Sequence, residues 1–565
     1  MTNRARPNAA QGKVCVIGVD GATFDLIRPL AAQGRLPVFS RLLREGASGP
    51  LLTVPALNSA AAWSSFITGV NPGKHGIFDF YCPARDSYRI RFINGGDRHG
   101  ESLWGLLSRE NRRVGVINVP MTFPAEPVNG FMIAGLDAPG VSTPGFTHPP
   151  SLLEDVQREV GGYMLAPGMV GYMLAHREAQ GLRQLEHCTK QRLASALHLI
   201  GTREWDFFMV VFSAVDSVQH CFWKYMDPAS SGPTDEERRR FGDAIPNTYV
   251  AMDEAIGQIQ QALPENTTLV VMSDHGAGPR HLAARQLNHW LASIGLLRFE
   301  PPRGGWQSAL AAAVRAAYTR LERIPARRLK EFLVRIAPGV RDRVRSDFMV
   351  AGIDWAHTQA FADPVGSTVR LNLIGREPSG TVSPGKESEE VLALITQRLL
   401  ECTDAATGEP AVEAVLRRED AYQGPYLAEA PELTIQWNRR VPVGRLAPSV
   451  TDMGDFPIEQ YRAISGDHRP EGILLMAGPG VAPGRAIEGA SIMDVFPTIL
   501  GLMGVSVPAG LDGHLLGAAF AGDIADATTA AAGRPDETAQ PEQHRYTSDE
   551  EEQIRERLRD LGYLE

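Results

Sequence analysis

Four stretches of the chain place residues with chemical capability at the ends of apolar runs. They are Asp20 in VCVIGVDG, Asp216 and His220 in VVFSAVDSVQH, Asp274 and His275 in TTLVVMSDHG, and His468 in SGDHRPEGILLMAGPG. Singly, each has an ordinary structural use: a carboxylate capping a turn, or a histidine in a glycine-flanked loop. Asp216 and His220, four apart, share one face of a helical turn and can hold one cation. Asp274 and His275 are adjacent, so their side chains are expected to diverge and to suit two different metals. Together, three carboxylates and three imidazoles supply hard oxygen and nitrogen ligands suited to Zn²⁺ and tolerable for Mn²⁺. Two such ions about 4 Å apart can bind the attacking and the leaving oxygen of a phosphoryl transfer. That chemistry needs a nucleophile. Ser59, in PALNSAAAWSSFITG, puts a hydroxyl in front of a run of alanines too small to hide it, a position that also suits a helix cap.

The elements that must position these residues are readable from periodicity. Apolar runs at Val14–Val19, Val114–Val119, Phe207–Phe212, Thr268–Met272 and Gly472–Ala477 read as buried strands, and Pro37–Glu45, Gln191–Leu199 and Tyr249–Leu263 carry helical spacing. Apolar strands alternating with amphipathic helices predict an α/β sandwich around a mostly parallel sheet. In such a sheet the working residues gather just past the carboxyl ends of the strands. The arginine-rich helical stretch 296–354 reads as an insertion or lid between two parts of a core, 13–295 and 355–520. Residues 1–12 read as a disordered N-terminus and 521–546 as a linker. Residues 547–565, with a serine cap, early acids and a short apolar stripe, read as a C-terminal helix that can dock on the body or on a partner.

Composition excludes several classes. Of 565 residues, 43% are hydrophobic and 22% charged, which supports a large core. The net charge of -10 comes with no long basic run, which argues against binding a nucleic-acid polymer. No run of about 18 apolar residues is present, so no membrane span is expected. Five widely spaced cysteines form no CxxC pair and read as reduced thiols. A cytoplasmic location is the expectation, and the pattern does not predict an oligomeric state.

The ordered set VDG, NSAAAWSSFITGVNPGKHGI, DSVQH, SDHG and GDHRPEGI resembles the alkaline phosphatase superfamily, and within it the type I phosphodiesterase/nucleotide pyrophosphatase family. The resemblance runs from about Val14 to Leu516, interrupted by the insertion. It implies an alkaline-phosphatase-like α/β/α sandwich and two divalent metal ions, Zn²⁺ or Mn²⁺. Asp216, His220 and His468 would hold one ion; Asp20, Asp274, His275 and the Ser59 hydroxyl would hold the other. Ser59, nine residues before Thr68, would be the nucleophile. The implied activity is cleavage of a phosphodiester or pyrophosphate bond in a small molecule through a phosphoserine. A phosphomonoesterase, a phosphomutase and a catalytically silent binding protein are the alternatives on the same fold. A sulfatase is disfavoured because Ala61 and Trp63 replace the proline and arginine of its modification motif. Ala62 departs from the asparagine usual three residues after the nucleophile; Asn58 is a candidate substitute, and Lys74 and His75 are candidate substrate contacts.

Overall fold

The structure, a computed structural model, describes residues 12–84, 87–230, 232–300, 352–448, 463–522 and 543–564. Nearly all of the expected disordered N-terminus, most of the expected insertion and most of the expected linker lie outside the described residues.

Lys13–Val19 forms the middle of the main sheet. It pairs in parallel with Phe207–Phe212 on one side and Thr267–Met272 on the other. Beyond Phe207–Phe212 lie Val114–Val119 and Gly130–Ala134, also parallel, and then the short antiparallel strand Thr147–His148. On the other side, Glu471–Ala477 runs antiparallel to Thr267–Met272 and to Ala47–Leu52, and two short strands, Arg485–Ala486 and Ala490–Ser491, close that edge.

The inner strands of this sheet are largely apolar because both faces are covered. Along Lys13–Val19 the alternation of the pleat sends Cys15, Ile17 and Val19 into one core and Val14 and Val16 into the other. The first core is completed by Phe24–Ala32, Pro37–Glu45, Glu178–Thr202, Ala214–Met226 and Ala244–Ala262, the second by Ser59–Thr68, Leu103–Arg109 and Val495–Leu502. The result is the expected α/β/α sandwich. Gly18 marks its closest approach: a Cβ there would lie 2.8 Å from both the Trp63 ring and Val211, so only glycine lets the Ser59–Thr68 helix sit this near the sheet.

After Thr267–Met272 the chain leaves the main sheet and builds a smaller antiparallel one. Its order is Ala360–Ala362, Thr368–Leu371, Leu433–Trp437, Val412–Arg417. Lys386–Leu400 and Leu287–Ser293 pack on it around a separate core that includes Ile395, Leu399 and Leu433. Glu471–Ala477 then returns the chain to the main sheet. Among the described residues no helix is long and apolar enough to cross a membrane.

Candidate active site

Each strand of the central trio delivers an acid at or just past its carboxyl end. Asp20 follows Lys13–Val19 directly, its N–H donating to Phe212 O at 3.0 Å. Phe207–Phe212 leads into the helix Ala214–Met226, which carries Asp216 and His220 on one face, with Asp216 Oδ1 3.1 Å from His220 Nε2. Thr267–Met272 leads to Asp274 and His275. These two do not diverge as expected: His275 Nε2 and Asp274 Oδ2 are 3.4 Å apart, and Asp20 Oδ1 is 3.5 Å from the same nitrogen. The pleated alternation that would separate them ends at Met272, and the backbone bends at Asp274 before the next strand begins at Gly276.

That next strand, Gly276–Pro279, pairs antiparallel with Gly466–Arg469, His468 lying opposite Ala277. The pairing brings His468 from far along the chain to 3.0 Å from His220 (Nε2 to Nε2) and 3.7 Å from Asp216 Oδ1. Among the described residues, two groups of carboxylate and imidazole atoms thus form: Asp216, His220 and His468, and Asp20, Asp274 and His275, the atoms of each group within 4.8 Å of one another.

The hydrogen bonds behind these groups fix how they present themselves. The Nδ1 atoms of His220, His468 and His275 sit 3.0, 3.0 and 2.9 Å from the backbone oxygens of Gly466, Leu57 and Gly276. Nδ1–H therefore donates to a carbonyl in each ring, and each Nε2 lone pair is left facing its group, the arrangement by which proteins prepare a histidine for a metal. Burial pushes Asp20 well above the ordinary carboxylate range, and the neighbouring Asp274 and Asp216 push it further. Burial acts on Asp216 in the same direction, but His220, His468 and His275 outweigh it and hold Asp216 down to about 2. His468 is pushed down to about 3 by burial and by the other two imidazoles. Buried carboxylates crowded in this way, beside a His468 kept neutral, form a donor set whose missing partner is positive charge.

Ser59 lies against the second group. Its Oγ donates to Asp274 Oδ2 at 2.6 Å and sits 3.2 Å from His275 Nε2 and 3.4 Å from Asp20 Oδ1. It is the first residue of the helix Ser59–Thr68 and does not cap it. The cap is Asn58, whose Oδ1 accepts from Ala61 N at 3.0 Å. On its other side Ser59 Oγ accepts a hydrogen bond of 2.7 Å from the hydroxyl of Tyr563, a residue outside the motifs read above. In front lies a cleft of about 1710 Å³, reached by Asn58, His220, His468 and Tyr563 from this side and by residues of the smaller sheet, such as Arg370, from the other.

The family model of the type I phosphodiesterase/nucleotide pyrophosphatase matches residues 14–445. The chain belongs to this family. It is accordingly a phosphoester hydrolase of the phosphodiesterase/pyrophosphatase type, and the match contains every residue of the two groups except His468, which lies beyond it. No curated protein matches the chain. Among solved structures the fold is similar to phosphonoacetate hydrolase from Sinorhizobium meliloti 1021, at 13% identity over 86% of this chain and 94% of that one, with a TM-score of 0.48. It is also similar to human ectonucleotide pyrophosphatase/phosphodiesterase 5, at 12% identity over 89% and 97%, with a TM-score of 0.45.

Within this family member the remaining candidates find structural places. Asn58 does not substitute for the asparagine replaced by Ala62. Its amide nitrogen donates to Phe78 O at 2.8 Å and to Ala56 O at 3.3 Å, leaving no proton for a substrate. Ala62 is buried in the core between helix and sheet. Lys74 is paired with Asp512 and also donates to Gly510 O. His75 is buried, accepts from Ile77 N at 3.1 Å and bonds Ser65 Oγ at 2.8 Å.

Proposed function

We propose that the protein is a two-metal phosphohydrolase that cleaves a phosphodiester or pyrophosphate bond through a phosphoserine on Ser59. One observation carries the reading: Ser59 Oγ, at the N-terminus of a helix, is held within 3.4 Å of all three members of one ligand group, with the second group beside it. Asp20, Asp274 and His275, with the Ser59 hydroxyl, fit one divalent ion; Asp216, His220 and His468 fit the other. Oxygen and imidazole donors with Nδ1 already committed suit Zn²⁺, with Mn²⁺ the next choice. Such ions, when bound, supply neutralisation of the phosphoryl oxygens and a lowered pKa for the Ser59 hydroxyl.

The chain's own part follows from its geometry. Ser59 Oγ attacks phosphorus, the Oγ–P bond forms, and the ester or anhydride P–O bond opposite it breaks. The helix N-terminus behind Ser59 favours the anion gathered there. Water then attacks phosphorus from the side the leaving group has vacated, releasing the phosphomonoester that keeps the second substituent and restoring the Ser59 hydroxyl. The breadth of the cleft favours a phosphorus carrying two substituents over a simple monoester.

The test is a rapid acid quench during turnover of bis(p-nitrophenyl) phosphate with zinc or manganese, beside matched phosphomonoester and sulfate-ester substrates. We expect the diester to be turned over best and a p-nitrophenyl phosphoryl group to be trapped on the peptide containing Ser59. A monoester preference would move the reading to a phosphatase or mutase. Preferential sulfate-ester cleavage would overturn it.

A further inference from the structure

We infer that Tyr563, carried by the C-terminal segment, is a catalytic residue whose hydroxyl donates to the phosphoryl oxygens as Ser59 attacks; this deepens the reading above and rests on it. Three observations support the assignment, and the first is position. Tyr563 Oη is 2.7 Å from Ser59 Oγ. A donor within hydrogen-bond reach of the attacking oxygen is also beside the non-bridging oxygens of whatever phosphorus that oxygen attacks. As the Oγ–P bond forms, the Ser59 lone pair that accepted from Tyr563 is withdrawn and negative charge builds on those oxygens. The O–H then turns to them without leaving its place, and the proton stays on Tyr563. Preorganised donors aimed at developing charge contribute in this way.

The second observation is that the neighbouring candidate donors are committed elsewhere. The Asn58 amide is spent on Phe78 O and Ala56 O, and Lys74 is paired with Asp512. The imidazoles turn Nε2 lone pairs, not protons, toward the groups.

The third is that the segment presenting Tyr563 is built into the body. The helix Ser548–Asp560 starts with a capping box between Thr547 and Glu550. The segment buries Ile554, Leu558, Leu561 and Leu564 in one cluster with Ala60, Phe80 and Met121, and its helix packs against Met169–Leu174. Arg557 donates to the carbonyls of Leu136, Ala138 and Pro139. The helix then closes with Gly562 N bonded to Arg559 O at 3.1 Å and Tyr563 N to Leu558 O at 2.9 Å. This is the Schellman arrangement, with glycine in its left-handed position at φ 87°. Gly562 thereby turns the chain so that the next side chain points back to the site. The ring rests against Phe80 and His468, at 4.7 and 5.5 Å between centroids.

The test is Tyr563→Phe in the full chain loaded with zinc or manganese, which keeps the ring and removes only the donor. Loss of one such donor costs about 10²–10³-fold in kcat. We expect a fall of that order on bis(p-nitrophenyl) phosphate with KM changed less than threefold. Inhibition by orthovanadate, which presents the same equatorial oxygens, should weaken at least tenfold, while metal content and melting midpoint stay at wild-type values. Gly562→Ala, which misdirects Tyr563 without removing it, should lose activity in part. Tyr563→Phe within twofold of wild type in both kcat and vanadate affinity overturns the assignment, and so does an increase in activity, which would mark the segment as inhibitory. Ser59→Ala, measured alongside, separates the two levels. An inactive Ser59→Ala with an unimpaired Tyr563→Phe defeats this inference and leaves the proposed function standing; an active Ser59→Ala defeats both. If the diester is not turned over, vanadate affinity of wild type against Tyr563→Phe decides alone.

Discussion

Ser59 and Asn58 are neighbours at the start of one helix, and the structure divides capping and chemistry between them in a way that two substitutions can separate. Asn58→Ala removes the cap on Ala61 N, worth about 1 kcal/mol, and leaves Phe78 O without its 2.8 Å donor, worth about 1 kcal/mol more. The sum of about 2 kcal/mol corresponds to a drop of about 2 °C in melting midpoint for a chain of 565 residues. Ser59→Ala removes no cap. It loses the bonds with Asp274 and Tyr563, offset by alanine's better helix propensity and by one fewer buried polar atom among carboxylates, for a net change within about 1 kcal/mol. Its turnover should fall by about 10³–10⁶-fold, or roughly 4–8 kcal/mol in the barrier, with the residue coming from direct attack by water. The assay is initial rates on bis(p-nitrophenyl) phosphate together with thermal melting and metal content for both variants. Ser59→Ala within tenfold of wild type at full metal content would refute the nucleophile. An Asn58→Ala protein as stable as wild type, with Ser59→Ala the weaker of the two, would refute the division of roles.

Two further outcomes follow from the site and its surroundings. Metal analysis should find close to two divalent ions per chain, with His468→Ala losing mainly one and Asp274→Ala mainly the other; full occupancy in both variants would defeat the ligand assignment. His281 is buried, with Nδ1 accepting from Val443 N at 3.1 Å, and burial and the Arg469 guanidinium push it down to about 3 against the pull of Asp467. A histidine kept neutral in the fold contributes stability above its unfolded pKa of about 6.5, and that stability is lost as pH falls from there toward 3. At pH 5 the loss reaches at most about 2 kcal/mol, and His281→Asn, compared with wild type by melting at pH 7.5 and pH 5, should be less sensitive by a corresponding amount; equal sensitivity would remove His281 as the cause.

The parts of the fold that the sequence made legible are those where burial leaves no choice of residue. Phe207–Phe212 is apolar at all six positions because helices cover both faces, and the expected strand coincides with the observed one. Pro37–Glu45 likewise has a proline in its first turn and a glycine just past its end, and its bounds could be read directly. The pairing of Asp216 with His220 needed only the helical repeat. What escaped lacks such a pattern. Gly276–Pro279 and Gly466–Arg469 read GAGP and GDHR, with no alternation to mark them as strands, yet their pairing sets His468 beside His220. The first two strands of the smaller sheet, Ala360–Ala362 with three residues and Thr368–Leu371 with four, are too brief to establish a period. Asn58 and Ser59 are both good cap residues, and helix starts are uncertain by about a residue when read from types alone.

Tyr563 was missed for a different reason, which bears on how such sites are built. The central trio of strands sets Asp20, Asp216 and Asp274 at fixed heights because a parallel sheet holds its carboxyl ends in register, so their convergence follows from the topology. Nothing in that topology requires the far end of the chain to come near. What brings it there is the apolar stripe of Ser548–Asp560, which needs a surface to cover and finds one in the cluster of Ala60, Ile77, Phe80, Phe92 and Met121. Leu-Gly-Tyr-Leu carries a readable signal, a glycine stop after the last helical turn, and that signal specifies the reversal of the chain. It leaves unspecified what the reversed side chain meets. That is fixed by the 504 positions separating Tyr563 from Ser59 being closed in space by packing alone, a distance over which no local propensity acts. A hydroxyl supplied in this way depends on a helix that the main sheet does not need for its own integrity. Disturbing the docking of that helix should therefore alter chemistry at Ser59 before it alters the sandwich that carries the ligands.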